Sequence, residues 1–166
     1  LQGNVLESYR KIADILLTML AKLGVHAESL PSVALPAGKG PVCFELPSHY
    51  EITFQGKKIF GSAQARRKRG ILQHGALPLY GDIARITQAI RFSSEAEREN
   101  AAEKVKARAT TVEQALGRRI SWQEAAAAMV AAFQERLGVD FEEVTLTDEE
   151  WEMAKKLEEE KYQVVI

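Results

Sequence analysis

The hydrophobic period of this chain changes near Val42, and that change limits what the chain can fold into. Upstream, Val5, Leu6, Tyr9, Ile12, Ala13, Leu16, Leu17, Leu20 and Leu23 recur at the i, i+3, i+4 spacing of one helical face. Asn4 can cap such a helix and Gly24 can end it, so the spacing predicts a helix over 5–23. Downstream, Tyr50, Ile52 and Phe54 alternate with Glu51 and Thr53, which is the period of a half-buried strand. Gln55-Gly56 reads as a two-residue turn, and 57–63 as a returning strand. Between the two regimes, 25–40 holds Pro31, Pro36, Gly38 and Gly40 and reads as a loop, with a short strand expected near 32–35.

The remainder can be read the same way. A turn at 66–70 leads to strand pieces at 71–73 and 76–80 around His74-Gly75. Pro78 cannot donate to a ladder and would suit an edge. Asp82 can cap a helix carrying Ile83, Ile86 and Ile90. Ser94 with Glu97, Ser121 with Glu124 and Thr147 with Glu150 fit the capping box. They predict helices that include 122–137, closed by Gly138, and 149–162; the alternation over 141–146 predicts one late strand. The order indicates an α+β fold, a mixed or antiparallel sheet packed with helices and followed by a mostly helical C-terminal segment. The expected division is 1–92 and a helical subdomain over 93–166 that includes the late strand.

Composition excludes several functions. With 166 residues, 46% of them hydrophobic, there is enough chain to bury a core. A formal net charge of −1 argues against a dedicated nucleic-acid binder. No apolar run is long enough to cross a membrane as a helix. The single cysteine, Cys43, excludes an internal disulfide and a Cys-rich metal site, and fits a reducing, cytoplasmic compartment. His26, His49 and His74 lack metal-ligand spacing, so no metal ligand is assigned.

Four features can carry chemistry. Cys43 is either a buried small hydrophobe or a nucleophile; Pro41 and Pro47 bracket it, and Gly38 and Gly40 precede it, which suits a loop. Lys57 and Lys58 are adjacent on a strand, so strict alternation puts Lys58 with Phe60 and Ser62 on one face and Lys57 with Ile59 and Gly61 on the other. At most one of these lysines then faces a given site. Gly61-Ser62-Ala63 is a small-residue stretch where a ligand or a backbone can come close. Arg66, Arg67, Lys68 and Arg69 form a basic tetrad at the second turn, readable as a solvated tip or as a dock for an acidic partner.

The segment from Cys43 to Asp82 resembles the lipoate–protein ligase A / octanoyltransferase family, of the class II biotin/lipoate ligase fold group. Gly56-Lys57-Lys58-Ile59-Phe60-Gly61-Ser62-Ala63 fits the family pattern G-x-K-[IV]-x-G-S-A, and Gln64 and Leu72-Gln73-His74-Gly75 follow in order. The resemblance implies that 1–92 is the downstream part of the catalytic domain. It implies that Lys58 contacts the acyl carbonyl, and that Gly61, Ser62, Ala63, Gln64, His74 and Gly75 bind substrate. Cys43, in the context Cys43, Phe44, Pro47, Ser48, Tyr50, Glu51, matches the acyl-accepting cysteine of the octanoyltransferase branch.

The implied activity is transfer of an octanoyl or lipoyl group from acyl carrier protein, through a Cys43 thioester, to a lysine of a lipoyl domain or of a glycine-cleavage H protein. That reaction needs no cofactor. One alternative is a lipoate–protein ligase, which would use ATP and Mg²⁺ to make lipoyl-AMP; another is an accessory chain that binds carrier domains without catalysis. The basic tetrad would dock the acidic carrier. The family's Arg-rich and triple-glycine motif lies upstream of the first helix, so an upstream segment or a second chain is expected to complete the domain.

Overall fold

A computed structural model describes residues 5–30, 51–67 and 70–162. Helix α1, Val5–Lys22, forms where the apolar stripe predicts it, and Gly24 follows at φ 91°, a left-handed conformation that glycine adopts without steric penalty. The strands β1 (Glu28–Leu30), β2 (Glu51–Phe54), β3 (Lys57–Arg67) and β4 (Gly70–Ala76) make one antiparallel sheet in the order β1-β2-β3-β4. After a 3-10 turn at Ile83–Gln88 come α2 (Glu95–Arg108), α3 (Val112–Leu116), α4 (Trp122–Leu137) and α5 (Asp148–Leu157), and α5 runs into a π-helical turn, Glu158–Tyr162.

The main core lies between the sheet and the α1/α4 pair. Ile12, Ile15, Leu16, Met19 and Leu20 of α1 meet Ile52, Ile59 and Phe60 of the sheet and Ala125 and Ala132 of α4. Alanines at these α4 positions let the two helices approach closely. Lys22–Glu135 at 2.6 Å joins them at the surface. This core crosses position 92, since Val112 and Ile120 belong to it. A smaller core joins α2 to the 3-10 turn through Ala84, Val105 and Ala109.

The hairpin turn Gln55-Gly56 has φ of 50° and 75°, both positive, as a type I′ turn requires. It fixes the pairs Phe54↔Lys57 and Thr53↔Lys58. The next pair is Ile52↔Phe60, so one residue of β2 opposes two of β3. This bulge lets the consecutive residues Ile59 and Phe60 both enter the core, at 0% and 8% exposure. Strict alternation along β3, which put Lys58, Phe60 and Ser62 on one face, is therefore corrected. Lys58 shares its face with Thr53, and Phe60 shares the opposite face with Ile52.

Other expectations also change. The pieces at 71–73 and 76–80 become one strand, Gly70–Ala76; residues 77–80 leave the sheet, and the carbonyls of Pro78 and Leu79 accept from Val112 N and Glu113 N at 2.9 and 2.8 Å. The helix from Asp82 is a 3-10 turn, capped by Asp82 accepting from Ala84 N. The late strand at 141–146 is not formed: 139–147 is irregular, and Phe141 instead sets its ring edge-on to Phe133 of α4 at 6.3 Å. Among the described residues it joins neither edge of the sheet, β1 or β4. The boxes Ser121/Glu124 and Thr147/Glu150 form, and so does Thr111/Gln114, whose signature went unread. Ser94 accepts from Glu97 N, but Glu97 returns to Ser93 N. The strand expected at 32–35 lies outside the described residues.

Candidate active-site face

The site is built on the β2–β3 hairpin. Glu51 and Thr53 lie on one face of β2, and the type I′ turn sets Lys58 directly opposite Thr53. Lys58 is 5% exposed, and its Nζ lies 3.1 Å from Glu51 Oε1, on a carboxylate side chain that is 20% exposed. The backbone beneath is held on both sides, by pairing with Thr53 and by Thr110 N donating to the Lys58 carbonyl at 2.9 Å. Beyond the bulge the same face continues with Gly61 and Ala63, and across the Ala63↔His74 pair with the exposed His74. The result is a buried cation beside a stretch of strand with little side-chain bulk, where a carbonyl-bearing chain can lie close to the backbone.

The neighbouring lysine is placed quite differently. Lys57 is exposed, and its Nζ donates to the Lys106 carbonyl at 3.1 Å, in the last turn of α2. It satisfies one of the carbonyls that a helix end leaves open. It also lines a polar cleft of about 480 Å³ with Asp82, Lys106, Thr110 and Gln114.

The remaining residues of the motif divide between the two faces. Ser62 and Gly75 pair with each other on the core side, as do Gln64 and Gln73. Gln64 N donates to Tyr9 Oη of α1 at 2.9 Å, and Gln64 Nε2 donates to Gln73 Oε1 at 3.0 Å. A side chain at Gly75 would force its surroundings to shift: a Cβ there would stand 2.6 Å from both the Gly61 carbonyl oxygen and the Phe60 ring. Gly75 also borders an apolar groove of about 390 Å³ lined by Met19, Phe60, Leu77, Trp122 and Met129. Thus Lys58, Gly61, Ala63 and His74 share one face of the sheet, whereas Ser62, Gln64 and Gly75 share the face turned to the helices.

Arg67 ends β3, exposed, at the tip where the tetrad was expected. Cys43, Lys68, Arg69 and the side chain of Arg66 lie outside the described residues. Sequence reasoning missed Glu51 as the partner of Lys58. The signal was available: with 53 opposite 58, Glu51 is the diagonal same-face neighbour, and its charge is opposite.

The family profile of the lipoyl protein ligase A/B catalytic domain matches residues 2–134. The chain belongs to this family. Among curated relatives, the octanoyltransferase LipM of Symbiobacterium thermophilum is 38% identical over 98% of this chain and 61% of its own length. That of Carboxydothermus hydrogenoformans is 35% identical, over 98% and 60%. That of Bacillus subtilis is 32% identical, over 96% and 60%. The chain therefore spans about 60% of the length of these family members. Among solved structures, the bi-partite lipoate protein ligase of Thermoplasma acidophilum superposes with a TM-score of 0.75 at 23% identity, covering 99% of this chain and 58% of that one. A lipoate-protein ligase A bound with ATP gives 0.68 at 26% identity, covering 98% and 58%. The sheet and helices described above are thus those of a lipoyl ligase catalytic domain.

Proposed function

We propose that the protein is an octanoyltransferase of lipoate synthesis, acting through a cysteine thioester and using no nucleotide. What carries the reading is the 38% identity to a curated octanoyltransferase over nearly the whole chain, with Cys43 in its Cys-Phe-x-x-Pro-Ser context. The Cys43 thiolate attacks the thioester carbonyl of the octanoyl carrier, and the carrier thiolate leaves. One thioester replaces another, so the step is close to balanced. A lysine amine of a lipoyl domain or an H protein then attacks the enzyme thioester. An amide forms, the Cys43 thiolate leaves, and the amine proton passes to solvent. Amide formation makes this half favourable.

Lys58 suits the developing negative charge on the carbonyl oxygen in both halves. A fixed cation in a water-poor place stabilises such a charge far more than one in bulk solvent. Gly61 and Ala63 leave room for the acyl chain along the same face. Burial of its tail stabilises binding by roughly 0.8 kcal/mol per methylene. The basic tetrad, of which Arg66 and Arg67 close β3, suits docking of an acidic carrier, an effect that salt would screen.

The test is the intact mass of the full-length polypeptide carrying this sequence after incubation with octanoyl-carrier thioester and no ATP. The reading predicts one octanoyl adduct, absent in Cys43→Ala and lost on addition of a lipoyl domain. An adduct that persists in Cys43→Ala, or acylation of the lipoyl domain only when ATP is supplied, would overturn it.

A further inference from the structure

We infer that Glu51 is the positioning residue of Lys58, holding its ammonium at the point on the sheet where the acyl carbonyl must lie. The inference rests on the role proposed above for Lys58 in acyl transfer. A lysine side chain is a flexible four-carbon stem ending in a point charge, and by itself it fixes no geometry. Here the stem is buried, the ammonium meets Glu51 Oε1 at 3.1 Å, and both partners are held by one short hairpin. The type I′ turn sets the register from Phe54↔Lys57 to Thr53↔Lys58, so the separation of Glu51 from Lys58 is decided by backbone rather than by side-chain chance. The bulge lies just beyond Lys58 on β3, and it turns Phe60 into the core without carrying Lys58 with it.

Exposure separates this pair from the surface pairs. Lys22–Glu135 and Arg119–Glu113 join side chains of which at least one is more than a third exposed, and such pairs hold little geometry against solvent. The Lys58 side chain is 6% exposed, and a buried ammonium stays where its counter-charge is. Glu51 touches neither acyl group nor thiol in this account. It acts by keeping Lys58 in one rotamer through both halves of the exchange, so that no reorganisation accompanies the change of charge at the carbonyl.

The test is a double-mutant cycle in the full-length polypeptide, with octanoyl transfer measured for wild type, Glu51→Gln, Lys58→Met and the double variant. Rates are compared where circular dichroism shows each variant folded. Glutamine keeps the length and one oxygen of Glu51 but not its charge, and methionine keeps most of the lysine stem. We expect Glu51→Gln to lower kcat about ten- to a hundredfold, in the upper part of the range of couplings between contacting residues, with KM for the carrier nearly unchanged. We expect no further loss when Glu51→Gln is added to Lys58→Met, and partial recovery in Glu51→Asp. A wild-type rate for Glu51→Gln beside a slow Lys58→Met would overturn the positioning role alone, as would losses that multiply in the double variant. A Glu51→Gln chain that fails to fold while Glu51→Asp works at the wild-type rate would make Glu51 structural and overturn it too. A wild-type rate for Lys58→Met would overturn both this inference and the role of Lys58.

Discussion

Two amphipathic helices of this chain meet different surroundings. α1 buries Ile12, Ile15, Leu16, Met19 and Leu20 against sheet and helix, with Leu20 at 0% exposure. α5 carries Trp151 and Leu157 on one side, yet they stay 54% and 43% exposed, and every described residue from Gln134 to Tyr162 is exposed. Apolar spacing thus decides that a helix forms and which side would be buried, not whether anything buries it. α1 is held by tertiary packing, whereas α5 is held by its own ends: a Thr147/Glu150 capping box and three acidic residues in its first turn.

The largest expected effect contrasts the two directly. Leu20→Ala should cost about 2–5 kcal/mol of stability, the range for a fully buried leucine, while Trp151→Ala should change it by less than about 0.5 kcal/mol. Thermal or urea unfolding checks both, and a comparable loss from Trp151→Ala would mean that α5 belongs to the cooperative unit. A smaller effect is expected on the sheet side of the same core. Gly75→Ala should destabilise by about 1–3 kcal/mol, the usual range for overpacking, because the added carbon meets backbone at 2.6 Å. Gly56→Ala tests the other demand on glycine, a φ of 75° with open space around it, and should cost about 1 kcal/mol.

The smallest effect is acid fraying. Hydrogen bonding from Ser121 N, aided by Arg118, holds the Glu124 carboxyl below its usual value of 4.5, and Thr147 N does the same for Glu150. A carboxyl whose value is lowered by folding contributes stability above the ordinary range and loses it as pH falls through the folded value. Both helices therefore lose N-terminal support on acidification below about pH 4.5, but α4 keeps Ala125 and Ala132 in the core. Residue-resolved amide chemical shifts should show α5 fraying before α4; simultaneous loss would remove the distinction between them.

Much of this architecture was legible because its signals are local. The stripe of α1, the boxes at Ser121 and Thr147 and the Gln55-Gly56 turn each depend on residues within a few positions of one another. What failed depended on distant partners. The alternation at 141–146 looks like a strand, but the segment joins neither open edge of the sheet, and nothing within it could show that. The bulge was hidden in Ile59-Phe60, two successive apolar residues in an otherwise alternating run, and only the closed register with Ile52 shows that both go inward. The site was half legible for the same reason. The motif marks Lys58, but Glu51 becomes its partner only once the hairpin register is fixed. Gly75 and Gln64 belong to the motif, yet only the closed sheet shows Gly75 against Phe60 and the Gln64 side chain donating to Gln73 across the β3–β4 pair.

The central claim is that adjacent lysines on one strand do unlike work, Lys58 at the carbonyl and Lys57 at the end of α2. Octanoyl transfer to a lipoyl domain by full-length Lys58→Met and Lys57→Met variants, folded to the same extent as wild type, tests this most directly. The account predicts a loss of about two to three decades for Lys58→Met, the scale of removing one oxyanion contact, and a rate within about threefold of wild type for Lys57→Met. Equal losses from the two substitutions, or the larger loss from Lys57→Met, would contradict it.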